Sequence, residues 1–96
     1  MGYKEELEEL RNVIDITDDV ILNSVIMRID LAMEIGVLKK EHGITEMSQD
    51  RRKEMLDRVI KKSEEQSTPT YLTKKIFEVL IDHSVELQQM ILKSKG

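Results

Sequence analysis

Apolar residues recur at three- and four-residue steps through the first part of the chain: Leu7, Leu10, Ile14, Ile21, Val25, Ala32, Ile35 and Leu38. That spacing predicts one long helix over residues 4–41. It stops at His42-Gly43, where glycine suits a left-handed cap and Lys39, Lys40 and His42 suit the negative end of the helix dipole. A short loop, 44–47, leads to Ser48, a good N-cap for a second helix over Gln49–Glu65. Ser67-Thr68-Pro69 then opens a third helix, with Thr68 as its cap and Pro69 at the first helical position. Its apolar positions, Leu72, Ile76, Val79, Leu80, Leu87 and Ile91, carry it to about residue 93. No repeat or low-complexity tract interrupts the pattern. The expectation is one all-α domain over residues 1–96, with three helices, the first very long.

Two cations break the pattern of the first helix. Arg28 and Lys39 lie in the strongly apolar stretch 25–40, with Ala32 and Ile35 between them on one stripe. Eleven residues at about 100° each bring Lys39 to within roughly 20° of Arg28. The two therefore bracket an apolar gap about 16 Å long between backbones. Around Arg28 the positions one turn away are Ser24, Val25, Leu31 and Ala32; around Lys39 they include Ile35, Gly36, His42 and Gly43. Neither charge can be neutralised within its own helix. If that stripe is buried, an anion from elsewhere must supply the counter-charge, because a lone buried charge is very costly.

Length then bears on assembly. A helix over 4–41 is about 55 Å long, whereas a compact domain of this size has a radius of gyration near 13 Å. Two shorter helices cannot cover so long an apolar stripe within one chain. A homodimer in which the long helices pack together is the simplest remedy. Arg11 sits about 260° around the helix from Arg28, roughly five turns away, so one chain cannot aim both at one pocket. An antiparallel partner can bring its own Arg11 to the neighbour's Arg28.

Composition narrows the function classes. The 96 residues carry a formal net charge of −4, which argues against a general nucleic-acid or anionic-membrane surface. Asn23, Ser24, Arg28 and Asp30 interrupt the best candidate for a membrane span. The opening Met1-Gly2-Tyr3-Lys4-Glu5-Glu6 reads as no signal segment, and Glu6 stands where a myristoylation motif wants Ser or Thr. With no cysteine, disulfides, thiol nucleophiles and thiolate metal sites are excluded. Two isolated histidines, His42 and His83, make no metal site. A cytoplasmic location is the default expectation, without cofactor or metal.

More polar residues gather where the other helices meet the stripe. Ser84 and Gln88 are spaced i, i+4 beside the apolar positions Leu80, Leu87 and Ile91. Arg51 and Arg52 fall in the first turn of the second helix, where cations oppose the dipole and, with free backbone N–H groups, attract a carboxylate or phosphate. Each position has a plainer reading. Arg11 can pair with Glu8 or Asp15, Lys39 can simply complement the dipole, and Arg51 and Arg52 can pair with Glu54 or other exposed acids. The plain reading is weakest at Arg28.

The order of elements and polar positions resembles the all-helical, type II chorismate mutase family. The resemblance is carried by Leu10-Arg11-Asn12-Val13-Ile14-Asp15, by Arg28 followed by Leu31-Ala32-Met33-Glu34-Ile35-Gly36, and by Lys39-Lys40-Glu41-His42-Gly43. It continues through Asp50-Arg51, Met55-Leu56-Asp57-Arg58-Val59, Ile76-Phe77-Glu78-Val79-Leu80-Ile81 and Ser84-Val85-Glu86-Leu87-Gln88. The resemblance implies an intertwined homodimer whose two active sites each mix residues from both chains. It implies a cofactor-free [3,3] rearrangement of chorismate to prephenate on the route to phenylalanine and tyrosine. By the same resemblance, Arg11 of one chain and Arg28 of the other hold two carboxylates, assisted by Arg51. Lys39 and Gln88 donate to the ether oxygen, Ser84 contacts a carboxylate, and Ile35 and Ile81 line the ring.

Five positions depart from the family pattern, two of them Asn23 and Ser24, which replace apolar residues midway along the first helix in the expected dimer core. Arg52 stands where the family usually has a glutamate that accepts a hydrogen bond from the ring hydroxyl, which points to reduced activity or altered hydroxyl recognition. Ser48 stands where aspartate is common, and Gln49 replaces a frequent proline. Ser48 and Arg52 are retained as substrate-binding candidates. An amino-substituted substrate is disfavoured, because Arg52 repels its ammonium. The alternative from a different class is a non-catalytic helical dimer that binds a chorismate-like dicarboxylate or a protein partner.

Overall fold

The computed structural model describes residues 2–47 and 49–94. They form three α-helices and, among the described residues, no strand: α1 (Tyr3–Glu41), α2 (Gln49–Glu65) and α3 (Thr70–Lys93). The all-α expectation holds, with α1 starting one residue earlier than the apolar pattern indicates. The chain divides into two compact units, one running through Asp30 and the other starting at Leu31.

The first unit is a single helical segment, and its apolar residues stay exposed. Leu10, Val13, Ile14, Val20, Ile21, Leu22 and Ile26 are each about half or more exposed. Thr17 and Ser24 turn their hydroxyls back onto the carbonyls of Val13 and Val20, four residues earlier, so neither interrupts the helix.

In the second unit α2 and α3 form an antiparallel hairpin. Arg52 near the start of α2 meets Asp82, while Ser63 near its end meets Thr73 through a hydroxyl–hydroxyl bond. Leu56, Val59 and Ile81 form the buried apolar centre, and the buried Ser63 is satisfied by Thr73. Burying three such side chains stabilises the hairpin by about 1.5–3 kcal/mol each. Ala32 and Gly36 are the buried residues of α1. A β-carbon at Gly36 would meet Gln88 and Ile91 of α3 more closely than ordinary van der Waals contact.

Both helix ends close in the same way. At the end of α1 Gly43 takes φ +66°, its N–H bonds to the Lys40 carbonyl, and the Ile44 N–H bonds to that of Lys39 at 2.9 Å. This is a Schellman cap, as the glycine anticipates. At the end of α2 the same pair of bonds runs from Ser67 to Glu64 and from Thr68 to Ser63, with Ser67 at φ 54°. This second cap corrects the reading of Thr68 as N-cap of α3. Its N–H and its hydroxyl both bond back to the Ser63 carbonyl, so it terminates α2 instead. Pro69 takes the cap position, outside the helix, and its carbonyl accepts from Thr73. The proposed cap at Ser48 lies outside the described residues.

Ser67 holds a left-handed conformation that glycine adopts without penalty. Ser67→Gly is therefore expected to stabilise the protein by about 0.5–1 kcal/mol, after the unfolded-state entropy of glycine is set against the relief. Urea denaturation at equilibrium measures it, and a destabilised variant would show that the Ser67 side chain contributes something else.

Candidate active site

The Schellman cap at Gly43 sends the chain back along the last turn of α1, and this builds the site around Lys39. Its ammonium donates to the Gln88 side-chain oxygen at 2.8 Å, to the Glu46 carbonyl at 3.1 Å and to the Met47 sulfur at 3.6 Å. All three acceptors are neutral. Among the described residues, no carboxylate forms an ion pair with Lys39. The simpler role as a solvated charge at the helix end is set aside, because the amine is half-buried and fully engaged.

Gln88 is 8% exposed and turns its oxygen to Lys39, the only orientation in which an ammonium and an amide can bond. The amide nitrogen then faces away. It has no partner among the described residues, yet it is not sealed from solvent. Amide dimensions keep it within about 5 Å of the Lys39 nitrogen. A single acceptor oxygen can sit at hydrogen-bond distance from both. It would displace only the sulfur contact, the weakest of the three.

Lys39 also borders an open cleft of about 400 Å³, lined with Ile44, Glu46, Met47, Gln49 and Asp50. That volume is in the range of small-molecule sites. Among the described residues no group of three or more side chains is placed to hold a metal ion. None of the helices formed by the described residues is long and apolar enough to cross a membrane.

The remaining sequence candidates are placed as follows. Ser84 is half-buried and donates to the Leu80 carbonyl. Arg51 is bonded to Glu54 at 2.7 Å and Arg52 to Asp82 at 3.3 Å, both exposed or partly so, which is the plainer reading of each. Exposed pairs of this kind contribute about 0–1 kcal/mol, and Arg51 has a further interaction beside this one. Ile81 is 2% exposed and sits in the core, whereas Ile35 is 44% exposed. In the first unit Arg11 is exposed, and neither Glu8 nor Asp15 pairs with it. Arg28 is half-buried and already engaged within the chain. Ser48 lies outside the described residues.

Three contributors escaped the sequence reading. The Glu46 carbonyl and the Met47 sulfur reach Lys39 only because the cap at Gly43 reverses the chain, a consequence the glycine itself foreshadows. Asp82, the partner of Arg52, stands 30 positions away and carries no local signal.

Comparison with known proteins settles the kinship. Residues 10–89 match the sequence profile of the chorismate mutase type II family. The chain belongs to that family. A chorismate mutase of Methanocaldococcus jannaschii is 34% identical over 89 residues, covering 93% of this chain and 90% of the relative. A 4-amino-4-deoxychorismate mutase of Streptomyces venezuelae is 25% identical over 96 residues, covering 100% of this chain and 93% of the relative.

Proposed function

We propose that the protein is a chorismate mutase acting in phenylalanine and tyrosine biosynthesis, and that Lys39 and Gln88 are the groups that accelerate the rearrangement. The observation that carries this reading is the Lys39 ammonium held by three neutral acceptors beside an amide with a spare donor. Chorismate carries two carboxylates and an enolpyruvyl ether. In the concerted [3,3] shift the ether C–O bond breaks as the new C–C bond forms, and negative charge grows on the ether oxygen. Two fixed N–H donors stabilise that oxygen more in the transition state than in the ground state. No acid, base or nucleophile is required.

Binding falls to the arginines. Arg28 and Arg51, with Arg11 from a second chain, hold the two carboxylates and fold the side arm over the ring in its reactive conformer. Ser84 and Ser48 add hydrogen bonds to a carboxylate or the ring, Arg52 faces the ring hydroxyl, and Ile35 and Ile81 give the apolar wall. The exposed apolar residues of the first unit support a homodimer, with each active site shared between chains. The working location is the cytoplasm. The 4-hydroxyl substrate is preferred to the 4-amino one, because an ammonium beside Arg52 is repelled.

Ultraviolet loss of chorismate with purified protein tests the activity, and no loss above the uncatalysed rate would refute it. Lys39→Ala is expected to lower kcat by about 10²–10³-fold, with KM changed much less, by analogy with loss of one oxyanion donor. Near-full turnover in that variant would remove Lys39 from the mechanism. Coexpressed Arg11→Ala and Lys39→Ala chains address the shared site, since half of a random mixture are heterodimers with one of two sites intact. Activity near about a quarter of wild type is expected. A mixture no more active than the average of the two variants would show that each site belongs to one chain.

A further inference from the structure

Gly36 lies in the interior of α1, where glycine is about 1 kcal/mol less favourable than alanine. Its surroundings explain the choice. A β-carbon built there would stand 3.0 Å from the Ile91 Cδ1, 3.3 Å from the Ile91 Cβ and 3.3 Å from the Gln88 Cα. The Ile91 methyl is the free end of a flexible side chain and can swing aside. The Gln88 Cα is backbone, and it yields only if α3 itself moves by a few tenths of an ångström.

Gln88 is also the residue whose amide grips Lys39, and Lys39 follows Gly36 by one helical turn, on the same side of α1. The closest approach of the two backbones and the 2.8 Å hydrogen bond are therefore neighbouring parts of a single contact. We propose that Gly36 is a positioning residue. By carrying no side chain, it lets the α3 backbone come near enough at Gln88 for the amide to fix the Lys39 ammonium and aim its own N–H beside it. This rests on the reading of Lys39 and Gln88 as the ether-oxygen donors.

A displacement of a few tenths of an ångström is a fraction of the 1 Å misplacement that can cost about 10²-fold in rate. Gly36→Ala is accordingly expected to lower kcat by about 3–10-fold while KM stays within about twofold, because the arginine clamp is untouched. Circular dichroism and thermal melting show whether the variant is folded. If it is not, Gly36→Ala with Ile91→Ala carries the same test, since it removes the methyl contact and keeps the one to the Gln88 backbone.

The discriminating measurement is a double-mutant cycle with Gln88→Ala. If Gly36 acts through Gln88, adding Gly36→Ala to Gln88→Ala costs less than twofold more in kcat. An equal loss in both backgrounds, or a folded Gly36→Ala enzyme with wild-type kcat, overturns the proposal while the mutase reading stands. An inactive wild-type protein would remove both.

Discussion

The structure of the site depends on one ammonium group that, among the described residues, forms no ion pair with a carboxylate. Lys39 is gripped by an amide oxygen, a backbone carbonyl and a thioether, so its position is fixed by neutral groups. A carboxylate in place of any one of them would hold the amine as well and cancel its field. Neutral acceptors hold the amine in place and leave its charge for an incoming anion. Everything nearby serves that arrangement: Gly43 reverses the chain to bring back Glu46 and Met47, Gly36 admits α3, and Gln88 spans the gap.

The same logic separates the cations of this chain. Arg51 and Arg52 sit in exposed pairs with Glu54 and Asp82, which are weak and exchangeable. Such groups suit binding, where a ligand carboxylate replaces a protein one at small net cost. Lys39 differs from both in being held by three neutral acceptors rather than by a carboxylate. The first unit leaves its apolar residues exposed, and Arg11 lies among them.

Much of this was legible in the residues. Three- and four-residue apolar spacing located α1 and α3, and the flanking loops and cap signals located α2, each to within a residue or so; the lack of acids one turn away marked Lys39 as unusual. Gly43 announced its own left-handed cap. Thr68 misled because Ser-Thr-Pro is a familiar opening for a helix, yet the preceding helix needed the same residue to close its last turn. Contacts between distant positions were the other blind spot. The pairing of Arg52 with Asp82 and the crowding of Gly36 against Gln88 depend on how helices pack, which local spacing does not encode.

The most direct test compares two rigid bicyclic dicarboxylates that mimic the rearranging skeleton, one with the bridging ether oxygen and one with a methylene in its place. Competitive inhibition or calorimetry gives their affinities. If Lys39 and Gln88 aim their N–H groups at that oxygen, the ether binds about 10–100-fold more tightly, the cost of leaving desolvated donors without an acceptor. Equal affinities would mean that the two carboxylates alone are recognised, and that the fixed amine has no part in the reaction.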